Sequence, residues 1–288
     1  MGDVLFSTIE KWQSEIPRPF GKTLDAGTGA HSLKWLQSIP TVSQLTAITA
    51  DEAMRTQILS DPSVKLRSCD EIRIGNWMDD SFCSGLDSDY DTIIADYLIG
   101  AVDGFSPYTQ DLVIERLSAR LVSNGRLYLI GMQPIPDHAE GNAEIITEVR
   151  RARDACIMLA GHRPYREYPL DWIFRNLDRS LLKVVKSKKF TILHSEESIF
   201  RQLRVAQSKL GIMNPIVRQG MERYLEDLMD RIKFSMKLTD GKIPLSFDYV
   251  VAAEHSLSLQ SSIVASGVPI ECILNNNESS TEISTEGF

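Results

Sequence analysis

The stretch "TLDAGTGAHSLKWL", residues 23–36, passes from an apolar run through closely spaced glycines into a run with helical spacing. Read as strand, turn and helix, it lets backbone N–H groups approach a ligand in front of a helix N-terminus. Asp51 sits immediately after the next apolar run, "QLTAITA" (44–50), where an acidic residue accepts hydrogen bonds from ribose hydroxyls in nucleotide-binding βαβ units. Both S-adenosylmethionine and NAD satisfy this pair of features.

Working outward, strand-like runs recur at 22–26, 44–50, 64–68, 90–96 and 126–132, with helical patterns between most of them. That alternation predicts an α/β protein with a mostly parallel sheet. Residues 4–16 predict a short helix ahead of it. Ser106-Pro107 predicts a helix start, and Asn124-Gly125 a helix end before the fifth strand. A helix follows over 143–160, then strands at "KKFTILHSEESIF" and "LSFDYVVAAEH". Between those two strands, Ile199, Leu203, Ala206 and Leu210, and then Val217, Met221, Leu228 and Ile232, predict an amphipathic helical hairpin. The polar end, 256–288, is expected to be partly disordered.

Composition narrows the function. At 288 residues and 43% hydrophobic content the chain can bury a large core, and its net charge of -8 argues against a nucleic-acid surface. No apolar run approaches the roughly 20 residues that span a bilayer. Cys69, Cys83, Cys156 and Cys272 are widely separated, with neither disulfide nor zinc spacing, and no leader-like segment opens the chain. The expectation is a cytoplasmic protein without metal, membrane or nucleic-acid partners.

The dinucleotide motif wants Gly or Ala where this chain has Ser32. A carboxylate two residues before the first glycine, Asp25 before Gly27 and Gly29, instead resembles the D/E-x-G-x-G-x-G motif of class I S-adenosylmethionine-dependent methyltransferases, with His31 at the third glycine. "AITADEAM", "YDTIIADYLIG" and "LSARLVSNGRLYLIG" are similar to later motifs of that family, and "FDYVVAAE" to its last strand. The resemblance implies a Rossmann-like three-layer sandwich with a seven-stranded mostly parallel sheet, and a helical insertion between the last two strands. Residues 1–22 would then be an N-terminal helical segment and 23–255 the methyltransferase domain, with 199–240 a lid or a homodimer contact.

It also implies S-adenosyl-L-methionine as cofactor, held by Asp25, Ala26, Gly27, Thr28, Gly29, Asp51, Asn76, Trp77 and Asp96. Asp70 competes with Asn76 as the adenine contact. Gly131-Met132-Gln133 stands where metal-dependent members carry an Asp-Asn pair, so no metal is expected. In-line methyl transfer needs a positioned nucleophile and, for a protonated acceptor, a base. Asp96 and Tyr97 leave the end of strand four, where this architecture opens its cleft. His138 and His162 are further candidates, because imidazole titrates near ~6.5. Without an N-P-P-Y or D-P-P-Y after strand four, a small-molecule acceptor is expected. The alternatives are a protein or peptide lysine acceptor, a nicotinamide-dependent oxidoreductase and a non-catalytic methyltransferase-like binding module.

Overall fold

A computed structural model describes residues 3–256. In chain order the elements are α1 (Val4–Ser14), β1 (Gly21–Asp25), α2 (Ala30–Ser38), β2 (Val42–Thr49), α3 (Glu52–Leu59), β3 (Glu71–Ile74), α4 (Asp80–Ser84), β4 (Tyr90–Asp96), α5 (Leu98–Val102), α6 (Gln110–Ser118), β5 (Leu121–Met132), α7 (Glu144–Leu159), α8 (Leu170–Arg179), β6 (Leu182–Ser195), α9 (Glu196–Gln207), α10 (Pro215–Lys237) and β7 (Lys242–His255). The seven strands form one sheet in the order β3-β2-β1-β4-β5-β7-β6. β1 to β5 are mutually parallel, and β7 runs antiparallel to β5 and β6.

The central strands are nearly continuous apolar runs because both faces of the sheet are covered. Their period of two sends Leu24, Ile93, Leu129 and Val251 to one face, against α5, α6 and α8. Ile94, Tyr128, Ile130 and Val250 go to the other, against α1, α2 and α3. The N-terminal segment is thereby part of the same core: Phe6, Ile9 and Trp12 of α1 are buried, and the Tyr128 hydroxyl donates to Gln13 Oε1 at 2.8 Å. Arg126, buried in β5, donates to Glu254 in β7 and to the Trp12 carbonyl, tying both elements to the sheet.

A third apolar cluster joins α7, α9 and α10. The hairpin is therefore packed on its own chain, burying Ile199, Leu203, Leu228 and Ile232 against Val149 and Cys156 of α7. Asn214 caps α10, accepting from Ile216 N–H at 3.0 Å, and Pro215 occupies its first position. Among the described residues no helix is long and apolar enough to cross a membrane.

Several expected boundaries move. The third strand is not 64–68 but Glu71–Ile74, which pairs with β2 at Thr46↔Glu71. The 64–68 run instead ends in a turn closed by Asp70 N–H to Arg67 O, with Leu66 exposed. Ser106-Pro107 lies in a turn, and α6 starts at Gln110 behind Thr109. It ends at Ser118, so Asn124-Gly125 falls inside β5, where the register shifts between Tyr90 and Thr92 of β4. There Gly125 passes so close that a Cβ would stand 3.0 Å from Asp91 O. β6 begins earlier than expected and stops at Ser195, which caps α9 by accepting from Ser198 N–H. The expected tail, including Cys272, lies outside the described residues apart from Ser256.

Candidate active site

The glycine-rich turn is pinned to its neighbours by its own backbone. Ala26 N–H donates to Ile94 O of β4 at 2.8 Å, and Thr28 N–H to Ile48 O of β2 at 2.7 Å. Gly29 N–H donates to Ser32 Oγ at 3.2 Å, and Ser32 Oγ donates to Asp25 Oδ2 at 2.8 Å. Asp25 is 0% exposed, and its Oδ1 is buried with no hydrogen-bond partner. Burial pushes its pKa up to about 6, against the lowering effect of Thr28, Ser32 and the Gly27 N–H. Most of the turn's donors are thus committed inside the protein, and a carboxylate stands behind them.

In front of the turn lies a cavity of about 210 Å³. Ala26, Gly27 and Thr28 form its floor, Ile48 to Ala50 and Met54 one side, and Leu98, Val102 and Phe105 the other. A Cβ on Gly27 would stand 2.8 Å from Leu98 Cδ1, so the small residue keeps this wall close. Trp77 is 4% exposed and closes the inner end, its indole N–H donating to Ala26 O at 2.7 Å. Asn76 lines the cavity beside it, its Oδ1 held by Met78 N–H and its amide near Ser106 Oγ.

Asp96 reaches the same cavity from the end of β4. Its pKa is pushed up to about 7, first by burial and then by the charges of Asp25 and Asp3. Tyr97 follows with φ 48°, a left-handed conformation that an aromatic residue adopts only where its surroundings hold it. That geometry carries its hydroxyl across to Asp248 in the middle of β7, donating to Oδ1 at 2.8 Å. Burial raises the pKa of Asp248. Glu167, close against Gly100 of α5, is pushed up to about 7 by burial and then by Asp248. Asp96, Asp248 and Glu167 therefore face the space around Tyr97, each holding its proton more strongly than in water.

Not every expected site residue lines this space. Asp51 caps α3, with Oδ1 accepting from Met54 N–H at 2.8 Å, and it is the flanking Ala50 and Met54 that line the cavity. Gly29 has an ordinary φ of −122°, and a Cβ there would meet nothing within 4 Å. His31 is 69% exposed and leans on Phe6 of α1, away from the cavity lining. Asp70 precedes β3 instead of following it, and its carboxylate serves Arg67 and Leu45 N–H at the other edge of the sheet. His138 and His162 do not join the site. His138 is 86% exposed in the loop after β5, beside Glu144, and His162 is exposed beyond the end of α7, next to Lys209.

Sequence reasoning missed Ser32 as the lock on Asp25, and it missed Glu167 and Asp248 altogether. Ser32 was within reach, since it lies at the third position of α2, where a side chain reaches back to the cap. Glu167 and Asp248 carry no local signal. Among the described residues no group of three or more His, Cys, Asp or Glu is placed to hold a metal ion.

No family model matches this chain, and no curated protein matches it. Among solved structures it is similar to a Bacillus halodurans C-125 protein provisionally named a methyltransferase, at 13% identity over 87% of this chain and 99% of that one, with a TM-score of 0.55. It is also similar to the YcgJ protein of Bacillus subtilis, at 14% identity over 87% and 99%, with a TM-score of 0.51. At such identities the likeness establishes the α/β, Rossmann-like fold.

Proposed function

We propose that this protein is an S-adenosylmethionine-dependent methyltransferase acting on a small-molecule acceptor, with the cofactor in the cavity before the Gly27–Gly29 turn. The observation that carries this reading is electrostatic. A dinucleotide's pyrophosphate needs free N–H donors and no nearby anion, whereas here the donors are committed and Asp25 and Asp96 stand around the turn. A ligand with a sulfonium and an ammonium suits that surrounding. The sheet agrees: the dinucleotide-binding order is 3-2-1-4-5-6, and here an antiparallel β7 lies between β5 and β6.

The residues present fit the cofactor. Ile48, Trp77, Leu98 and Phe105 offer apolar walls for an adenine, and Asn76 a polar edge beside it. Asp51 keeps one carboxylate oxygen beyond its helix cap for ribose hydroxyls. When bound, the cofactor supplies an electrophilic methyl group on sulfur. Leu98, Val102 and Phe105 shield the bound cofactor from water. Asp96, with a pKa near 7, takes the acceptor's proton. Tyr97 holds Asp248 in place beside it. Protein acceptors are less suited, since the charged groups around Tyr97 are recessed.

Isothermal titration with S-adenosylmethionine, S-adenosylhomocysteine and NADH tests the reading. Binding of the two sulfur compounds alone is expected. Binding of NADH in their place would overturn it.

A further inference from the structure

A second cavity, of about 290 Å³, opens beyond Asp248 at the same edge of the sheet. Its walls come from the end of β5 (Met132), from α7, from the end of β6 and from α9. Asp248 belongs to this lining while its Oδ1 accepts from Tyr97, the residue after the Asp96 that lines the first cavity. The two cavities thus meet across the Asp96-Tyr97-Asp248 bridge, one over β1, β2 and β4, the other over β5, β7 and β6. The volume is close to the lower end of small-molecule sites, about 300 Å³.

Three arginines line it, and they are not equivalent. Arg150 donates to Asp137 at 2.7 Å, and Arg153 to Asp154 at 2.7 Å and to Gln202 Oε1 at 2.7 Å. Arg201, from α9, has no hydrogen bond or ion pair among the described residues. The carboxylates near the cavity are engaged elsewhere: Asp137 accepts from Arg150, Asp154 from Arg153 and Asp248 from Tyr97. The rest of the wall is apolar, through Met132, Ile146, Val149 and Ile199.

We propose that this second cavity is the acceptor pocket and that it selects a small molecule with an apolar body and a carboxylate or phosphate group, which Arg201 receives. The word acceptor rests on the methyltransferase reading; the pocket and its ligand chemistry do not. Guanidinium binds either anion through paired N–H donors, which sets the class while leaving its source to experiment.

The test uses the full chain without cofactor and four six-carbon probes: hexanoate, hexyl phosphate, hexanamide and hexylamine. Titration followed by saturation-transfer NMR is expected to show binding of one or both anions. Arg201→Gln, an exposed position, should weaken that binding at least about tenfold. The tighter of the two anions names the source. Equal anion binding by the variant, preference for hexylamine or hexanamide, or no anion binding at all would each overturn the proposal. S-adenosylhomocysteine should bind Arg201→Gln as it binds the parent. Anion binding at Arg201 in a protein that does not bind S-adenosylhomocysteine would leave the pocket standing and remove the methyltransferase reading.

Discussion

The two cavities sit at one edge of one sheet and are built in opposite ways. The first is made of residues close in sequence to the ends of β1, β2, β3 and β4, its walls largely apolar and its charges negative. The second draws on β5, α7, β6, α9 and β7 and carries three guanidinium groups. A ligand common to a fold is met by short loops at the strand ends, because those loops follow from the βαβ repeat. A ligand particular to one protein is met by elements added around that repeat, here α9 of the hairpin.

The comparison breaks most sharply at Gly27. Gly27→Arg should lower S-adenosylhomocysteine affinity by more than about 100-fold, since even its Cβ would displace Leu98, while hexanoate binding stays as it was. Loss of both ligands in a variant that folds by circular dichroism would show that the cavities are one site.

The acidic centre between them makes stability depend on pH. Asp25, Asp96 and Glu167 have raised pKa values in the folded state, about 6, 7 and 7. The unfolded chain ionises them near 4, so their contribution to stability is fully present below that pH and is lost as pH rises to about 7. For the fully buried Asp25 the loss is roughly 3 kcal/mol. Urea denaturation between pH 4 and 8 should show stability falling across this window, and Asp96→Asn should flatten its upper half. A flat curve would mean that these groups are solvated.

Tyr97→Phe sharpens the bridge. It deprives the half-buried Asp248 of its donor and should cost about 1–2 kcal/mol in urea denaturation. It should also disturb ligands of both cavities, and an effect confined to one would place the bridge wholly within that site. The smallest change is Asp51→Asn, which keeps a cap on α3 and should weaken the cofactor about fivefold by replacing a charged acceptor with a neutral one. Unchanged affinity would move the ribose contact elsewhere.

Legibility follows the same division. β1, β2 and β4 could be read from short apolar runs because both of their faces are buried, and Asp96 and Tyr97 followed from the end of one of them. β3 was misread because Glu71–Ile74 is a short edge strand with only Ile72 buried, while 64–68 alternates like a strand without being one. That slip carried Asp70 to the wrong end of the sheet. His138 and His162 were attractive for their chemistry alone, and loop residues have no pattern that says where they point.

Local order in this protein, then, was determined by the sequence itself: the alternation of strand and helix, the Asp25 to Ser32 turn, the amphipathic faces of α9 and α10. These depend on residues a few positions apart, where backbone geometry leaves few choices. Only the tertiary structure decided that Tyr97 meets Asp248, 151 positions away, and that Arg150, Arg153 and Arg201 share one cavity. Such meetings are set by how the layers pack, and nothing in the spacing of a charged residue along the chain records the partner that packing will bring to it.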